Sequence, residues 1–421
     1  MGVETLAGGA TTHYIANLNE GIRDVSPSER VFLSQNALEP LLRERAEALG
    51  AQLRFATEVV AVQEDGDVVT AQLRHRDTGE LSTVRARYLI AADGAHSRVR
   101  ERLAIGMHGH PAFSRSITIY FRANLRPLLA DKTWSVVYVN NDRLRGFFRF
   151  EKPFDSGFLV VNTIGDPARP VSDISTDLDD ARARELVHIA LGRSDIPVEV
   201  DSVMHWNATA ECAERMRRGR VFIAGDAAHV MPPNGGFGGN TGIQDAHNLA
   251  WKLALVLGGR AEPALLDTYE AERRPVAALT VEQAYTRYVV RTGPYLGMAG
   301  TQPLVQDLNV ELGYVYRSGA VVPDTLIGEG LDGGVVHMNP RECRGRPGTR
   351  APHVWVQRQG ERVSALDLFG KRFALLGGPQ AQRWCEQAPR AAEAAGIDLD
   401  VHRVGRDGLE DADGALCAAY G

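Results

Sequence analysis

The sequence predicts an α/β fold interrupted by a β-rich insert and followed by a smaller α/β tail. Three observations predict it. Buried strand-like runs end in Asp93-Gly94 and in Gly225-Asp226, and each is followed by a helical pattern. Between Ser116 and about Val203 the chain switches to short β-branched and aromatic runs, ITIYF, WSVVYV, GFFRF and GFLVVNTI, which read as a mostly antiparallel sheet. From about His353 the order strand, strand, helix, strand appears, in HVWVQ, RFALLGG, residues 380–395 and LDVHRV.

The elements follow in chain order. The first thirty residues are polar and glycine-rich and predict no opening strand. Residues 34–49 predict a helix with Leu38, Leu41, Leu42, Ala46 and Leu49 on one face. A short strand is expected over 51–55. A hairpin is expected over 59–63 and 68–75 around Asp65-Gly66-Asp67, then a strand over 84–91 and a helix over 97–103. One helix, 178–191, interrupts the insert. After the strand 221–224 come Pro232-Pro233 and a glycine-rich turn. A long helix follows, expected to bury Ile243, Ala246, Ala250, Leu253 and Leu257 at spacings of three and four. A second helix starts near Ala264, with Pro275 inside it predicting a kink or break. Residues 320–350, rich in Gly, Pro and Arg, read as a linker. The implied divisions are 1–107, 108–210, 211–320 and 345–421.

Composition excludes several classes. The 421 residues are 44% hydrophobic and 24% charged, an ordinary globular balance for two or three domains. The net charge of −6 disfavours nucleic acid or an anionic membrane surface as partner. Arginines cluster at 215–220 and 341–350, where a solvated turn and a linker account for them. No apolar run is long enough to span a bilayer, and no signal-peptide pattern opens the chain. Cys212, Cys343, Cys385 and Cys417 form no CxxC, which argues against zinc or a redox dithiol; a cytoplasmic location is expected.

The chemistry concentrates in residues 220–257, RVFIAGDAAHVMPPNGGFGGNTGIQDAHNLAWKLALVL. A strand, a carboxylate, a glycine turn and a helix N-terminus in that order suit an electron-rich group beside ribitol or ribose hydroxyls. This segment resembles the second FAD-binding motif of the flavin-dependent aromatic hydroxylases, class A FAD monooxygenases of para-hydroxybenzoate hydroxylase-like fold. Two further motifs are similar to that family in the same order, SQNALEPLLRERAEALGAQLRFATEV and YLIAADGAHSRVRERLAI. FGGNTGIQDAHNLAWKLA and LLDTYEAERRPVA resemble the bacterial aromatic polyketide hydroxylases of the tetracenomycin and spore-pigment type.

The resemblance implies an α/β FAD-binding domain, a β-rich α+β substrate domain and a thioredoxin-like C-terminal domain. The family's opening βαβ unit with GxGxxG has no counterpart here, and MGVETLAGGATT is not that fingerprint. The tail ends at DADGALCAAYG, short of the closing strands the family adds. Both are read as an incomplete FAD-binding domain and a partial tail. The implied cofactors are FAD and, as reductant, NADPH or NADH. The implied partners are a small aromatic or polyketide substrate and O2. The implied reaction is ring hydroxylation through a flavin C4a-hydroperoxide. The alternatives are a non-catalytic or truncated homologue unable to hold FAD alone, a phenol or resorcinol hydroxylase of catabolism, and, more weakly, a halogenase or epoxidase on the same scaffold.

By the same resemblance, ten residues are expected to bind cofactor. Asp226, with Gly225, would accept hydrogen bonds from ribityl hydroxyls; a turn aspartate is the plainer reading. Gly236, Gly238, Gly239 and Asn240 would leave the flavin face clear and direct N–H groups at it, against a plain helix-entry loop. Pro232 would line the ring or merely stiffen the turn. Asp93 and Gly94 would face the pyrophosphate, or form a β-turn. Gln35 would donate to a phosphate oxygen, or act as a polar residue at a helix start. Arg98 is expected to support a phosphate or to pair with a neighbouring acid. His229 and His247 invite a catalytic-base reading, but lone histidines are more often structural. No metal site is expected, and no side chain is singled out as the catalytic base. The insert's Tyr120, Phe121, Trp134, Tyr138, Phe147, Phe148 and Phe150 are expected to divide between core and pocket.

Overall fold

The computed structural model describes all residues except 16, 133, 135, 165–177, 324–333 and 406–408, and the side chains of 163 and 164. It contains two compact units. The first comprises Met1–Leu18, Val31–Gly238 and Val281–Leu304; the second comprises Asn19–Arg30, Gly239–Thr280 and Val305–Gly421.

In the first unit the chain opens with two strands, β1 (Gly2–Thr5) and β2 (Gly8–Thr12), where none was expected. Glycine and threonine disguise them, but Val3 and Leu6 enter the core. Helix α1 (Gln35–Ala48) forms as expected but buries no side chain. Leu41, Leu42 and Leu49 are exposed, because no described residue covers that face. Residues 51–55 form no strand. The hairpin is β3 (Thr57–Asp65) with β4 (Val68–His75), and β5 (Leu81–Ala86) extends it into a three-stranded antiparallel sheet. The single strand expected over 84–91 is thus two. β6 (Leu89–Ala91) leaves that sheet for another, and α2 (Arg98–Arg102) follows it.

The insert comprises β7 (Met107–Arg122), α3 (Arg126–Leu129), β8 (Val136–Asn140), β9 (Arg145–Glu151), β10 (Ser156–Ile164), α4 (Asp180–Leu191) and β11 (Glu199–Ala213). Then come β12 (Arg217–Arg218), β13 (Val221–Ile223) and β14 (His229–Val230). Eight strands build the large sheet in the order β14-β11-β7-β10-β9-β8-β1-β2, antiparallel except for β1 beside β8. Period-two alternation sorts its aromatics between two faces. Phe121 and Phe148 lie fully buried with Ile117, Val137 and Leu159, in one core with Leu186, Val187 and Ala190 of α4. Trp134 and Phe150 pack on the margin of that core. Tyr120, Tyr138, Phe147 and Phe158 point the other way. The Asp179 side chain caps α4 by accepting from the Arg182 N–H at 2.7 Å, and Gly192 ends it at φ 71°.

Helices α5 (Phe237–Leu257) and α6 (Asp267–Arg291) each carry residues of both units. α6 runs through Pro275, so of the kink or break expected there the break is absent. α5 corrects the sequence reading more deeply. Of the five residues expected to be buried only Leu253 is; Ile243, Ala246, Ala250 and Leu257 are exposed. The buried stripe is Thr241, Asp245, Asn248, Leu249, Lys252, Leu253 and Val256, mostly polar.

The rest of the second unit contains α7 (Asp307–Leu312), β15 (Trp355–Arg358), β16 (Glu361–Ser364), β17 (Phe373–Gly377), α8 (Gln382–Ala394), β18 (Leu399–Arg403), β19 (Leu409–Glu410) and α9 (Ala415–Tyr420). β17 and β18 pair in parallel across α8, and β16-β15-β19 form a separate antiparallel sheet. Val356, Leu368, Val404, Leu409 and Leu416 share a small core. Part of the expected linker, 324–333, lies outside the described residues. No described helix is long and apolar enough to cross a membrane.

Candidate active site

The two acidic dipeptides meet at one end of a small sheet. β6 and β13 are parallel neighbours, Leu89 opposite Val221 and Ala91 opposite Ile223, and the Ala224 N–H donates to the Ala91 carbonyl at 3.0 Å. Asp93-Gly94 and Gly225-Asp226 therefore leave the carboxyl ends of adjacent strands, where open α/β sheets bind ligands. Arg100 fastens them and is a residue the sequence reading missed. Its buried guanidinium donates to the Ala227 carbonyl at 3.0 Å and to the Ala95 carbonyl at 3.1 Å. Arg98, which that reading did single out, is exposed and pairs with Glu58 at 2.7 Å.

The two carboxylates are used differently. Asp93 accepts from Ser97 Oγ at 2.5 Å and from the Val99 N–H at 3.2 Å, so it secures the start of α2. Asp226 is exposed, and its carboxylate has no hydrogen-bond partner among the described residues. It follows Gly225, whose φ of 60° favours glycine. Gly94 likewise takes φ 84°. Gln35 stands at the start of α1, exposed, and its amide donates to the Glu39 side chain.

The glycine turn splits in two. Gly235 and Gly236 take φ values of 102° and 70°, whereas Gly238, Gly239 and Asn240 already belong to the first turn of α5. N–H groups of a first turn find no carbonyl within their own helix. A Cβ at Gly236 or Gly239 would meet nothing within 4 Å, and one at Gly238 only Met231 at 3.7 Å. This stretch presents bare backbone. Pro232 is buried, while Gly236, Gly239 and Asn240 are exposed.

A second wall adjoins the turn. Asn234, 2% exposed, donates to Thr292 Oγ1 at 2.9 Å and lies 3.4 Å from the Tyr138 hydroxyl. Tyr138 belongs to an aromatic ladder across the sheet. Its ring centroid is 5.4 Å from Tyr14 and 5.7 Å from Phe147; Phe147 is 6.3 Å from Phe158, and Phe158 is 5.6 Å from Tyr120. Burial pushes the Tyr138 phenol above its ordinary range, so it stays protonated at neutral pH. His229 is fully buried on β14 opposite Cys212, and His247 is exposed on α5. Among the described residues no cluster could hold a metal.

The second unit carries charges that periodicity did not reveal. Arg273 Nε donates to Asp245 Oδ1 at 2.8 Å, both side chains fully buried. Lys252 Nζ donates to Glu272 Oε2 at 2.7 Å, with side chains 0% and 5% exposed. Asp245, Asn248 and Lys252, at spacings of three and four, were the available signal. They read as the wet face of α5, and only their partners on α6 permit burial.

This is the architecture of a flavoprotein: acidic dipeptides at parallel strand ends, then bare glycines opening a helix. The donor set fits FAD, since Asp226 can accept from sugar hydroxyls and the glycines admit a flat ring. The FAD binding domain family matches residues 4–284. The chain is 53% identical to the 4-methyl-5-nitrocatechol 5-monooxygenase of Burkholderia sp over 421 residues, all of this chain and 76% of that protein. It is 40% identical to the tetracenomycin A2 monooxygenase-dioxygenase of Streptomyces glaucescens, over 94% of this chain and 70% of the other. The structure of aklavinone-11 hydroxylase with FAD and aklavinone superposes with a TM-score of 0.91 at 35% identity, covering 100% of this chain and 77% of that one. The chain belongs to the FAD-dependent aromatic hydroxylases, a family of monooxygenase enzymes.

Proposed function

We propose that the protein hydroxylates a phenolic ring, with FAD as cofactor, NADPH or NADH as reductant and O2 as oxidant. The observation that carries the reading is the exposed Asp226 carboxylate just beyond β13, without a hydrogen-bond partner among the described residues, followed in the chain by bare backbone at Gly236 and Gly238. FAD, when bound, supplies the oxygen activation. The chain's own residues bind and orient it. Asp226 accepts from ribityl hydroxyls, Gly225 lets the backbone turn there, and the α5 N-terminus, with Gly238, Gly239 and Asn240, stabilises negative charge on the ring. Asp93 and Gly94 shape the strand end near the pyrophosphate, Gln35 approaches it from α1, and buried Pro232 stiffens the turn.

The sheet of residues 108–210 forms the substrate wall, its ladder offering an aromatic face that excludes water. Residues 345–421 are read as a thioredoxin-like tail, supported by the parallel β17–β18 pair with α8 between them.

A single-ring catechol-type phenol is the first substrate to test, on the strength of the 53% identity to a nitrocatechol monooxygenase. An aromatic polyketide is the second reading, favoured by the TM-score of 0.91 to an aklavinone hydroxylase. The deciding experiment loads the purified chain with FAD and follows NADPH or NADH oxidation with a nitrocatechol and, separately, an anthracycline aglycone. Hydroxylated product is expected from one of them. Reductant consumption without product from either would sink the hydroxylase reading.

A further inference from the structure

We infer that Arg273 is a positioning residue, holding the first turn of α5 in the geometry the flavin requires; this rests on the function proposed above. The first turn has a weakness built into it. Gly238 and Gly239 leave the surface bare, but glycine is the poorest helix former after proline. A turn opened by two glycines frays unless something outside the helix holds it.

Arg273 is placed to do so. Its guanidinium is fully buried, and each arm has a separate task. Nη2 donates to the Thr241 carbonyl at 3.2 Å, one residue beyond Asn240. Nε donates to Asp245 Oδ1 at 2.8 Å, one turn further along. Nη1 donates to the Tyr316 hydroxyl at 3.0 Å. A planar fork bonded at three points fixes both the rotation and the axial position of the turn, which an apolar contact would not. Apolar residues of equal volume generally stabilise such an interior as well as an ion pair does, so stability alone does not call for a buried pair here. The neighbouring pair supplies an internal control. Glu272 accepts from Lys252 at 2.7 Å, from Asn248 at 2.6 Å and from Ser318 at 2.6 Å, farther from the glycines along α5.

The test compares Arg273→Lys with Lys252→Met in the FAD-loaded full chain. Lysine keeps the charge but loses the fork. FAD affinity is expected to fall at least tenfold in Arg273→Lys, with a shifted visible flavin band and faster amide exchange at 239–241 without cofactor. At an equal loss of thermal stability, Lys252→Met is expected to keep FAD affinity within about threefold. Equal losses of affinity in the two variants would mean that Arg273 acts through stability alone, and unchanged binding in Arg273→Lys would likewise overturn the inference. Should Arg273→Lys fail to fold, Asp245→Asn and Tyr316→Phe, which each weaken one anchor, give the same comparison. A wild-type chain that holds no FAD would instead refute the underlying function.

Discussion

The Asn234 carboxamide nitrogen lies 3.4 Å from the Tyr138 hydroxyl and 2.9 Å from Thr292 Oγ1, which ties the glycine turn to the aromatic wall. A ring stacked on the ladder would therefore lie near the segment proposed to hold the flavin. Tyr138→Ala removes one rung, and with it the hydroxyl contact to Asn234, without touching the strand ends. KM for a phenolic substrate should rise roughly fivefold, about 1 kcal/mol of lost aromatic contact, and FAD affinity should fall by less than that factor. Steady-state kinetics beside a flavin titration checks this.

Asp226→Ala should weaken FAD binding by about 2 kcal/mol, roughly thirtyfold, the value of hydrogen bonds to a charged group. Because the carboxylate is exposed and has no protein partner among the described residues, the apoprotein's melting temperature should barely move. Quenching of flavin fluorescence gives the first quantity and calorimetry the second. A large drop in apoprotein stability would mean that Asp226 serves its own loop.

Asp93→Ala is predicted to do the reverse. It removes the acceptor of the Ser97 hydroxyl and the Val99 N–H, costing about 1 kcal/mol of stability as for other helix-start acceptors. FAD affinity should fall less than in Asp226→Ala. Measuring both variants in one titration series ranks the two carboxylates.

Breaking the Lys252–Glu272 pair on one side should be costly. Glu272→Leu leaves a fully buried ammonium without its counter-ion, and about 3–5 kcal/mol of stability is expected to go. Joint replacement by Lys252→Met and Glu272→Leu should recover most of it. Urea denaturation of the two single variants and the double variant supplies the cycle.

His353 gives the second unit an acid sensitivity. Burial, and then the Arg350 charge, hold its imidazole below the ordinary histidine range, while Nδ1 lies 2.7 Å from Ser364 Oγ. A depressed folded pKa means the neutral form is favoured on folding. That stability is present above the unfolded value near 6.5 and is lost as pH falls through the folded value. His353→Gln should flatten the fall in melting temperature below about pH 6. An identical pH profile in the variant would remove His353 as its source.

Much of this was legible in the sequence, for physical reasons that differ by element. Gly225-Asp226 and the glycine turn were readable because backbone demands specify them locally. The hairpin around Gly66 and the helix ended by Gly192 announce themselves in the same way. The buried face of α5 was not legible. Periodicity assumes that apolar residues seek the interior, whereas Asp245 and Lys252 are buried because Arg273 and Glu272 await them on α6. Strands β1 and β2 were hidden because glycine and threonine fill most of their positions, and the pairing of β1 with β8, far along the chain, leaves no local pattern. Arg100 was passed over for Arg98, two residues away, because nothing local says which of the two points inward.

The Arg100–Ala227 bond joins residues 127 positions apart, and most of the eight-stranded sheet is threaded between them. Closing so long a loop early carries an entropic penalty that only the completed sheet offsets. The strand ends that frame the site should thus come into register late, after the insert has collapsed. Cofactor capture should accordingly lag the appearance of β-structure during refolding, and a nascent chain should present no flavin site until the ribosome has released the segment beyond Ala227.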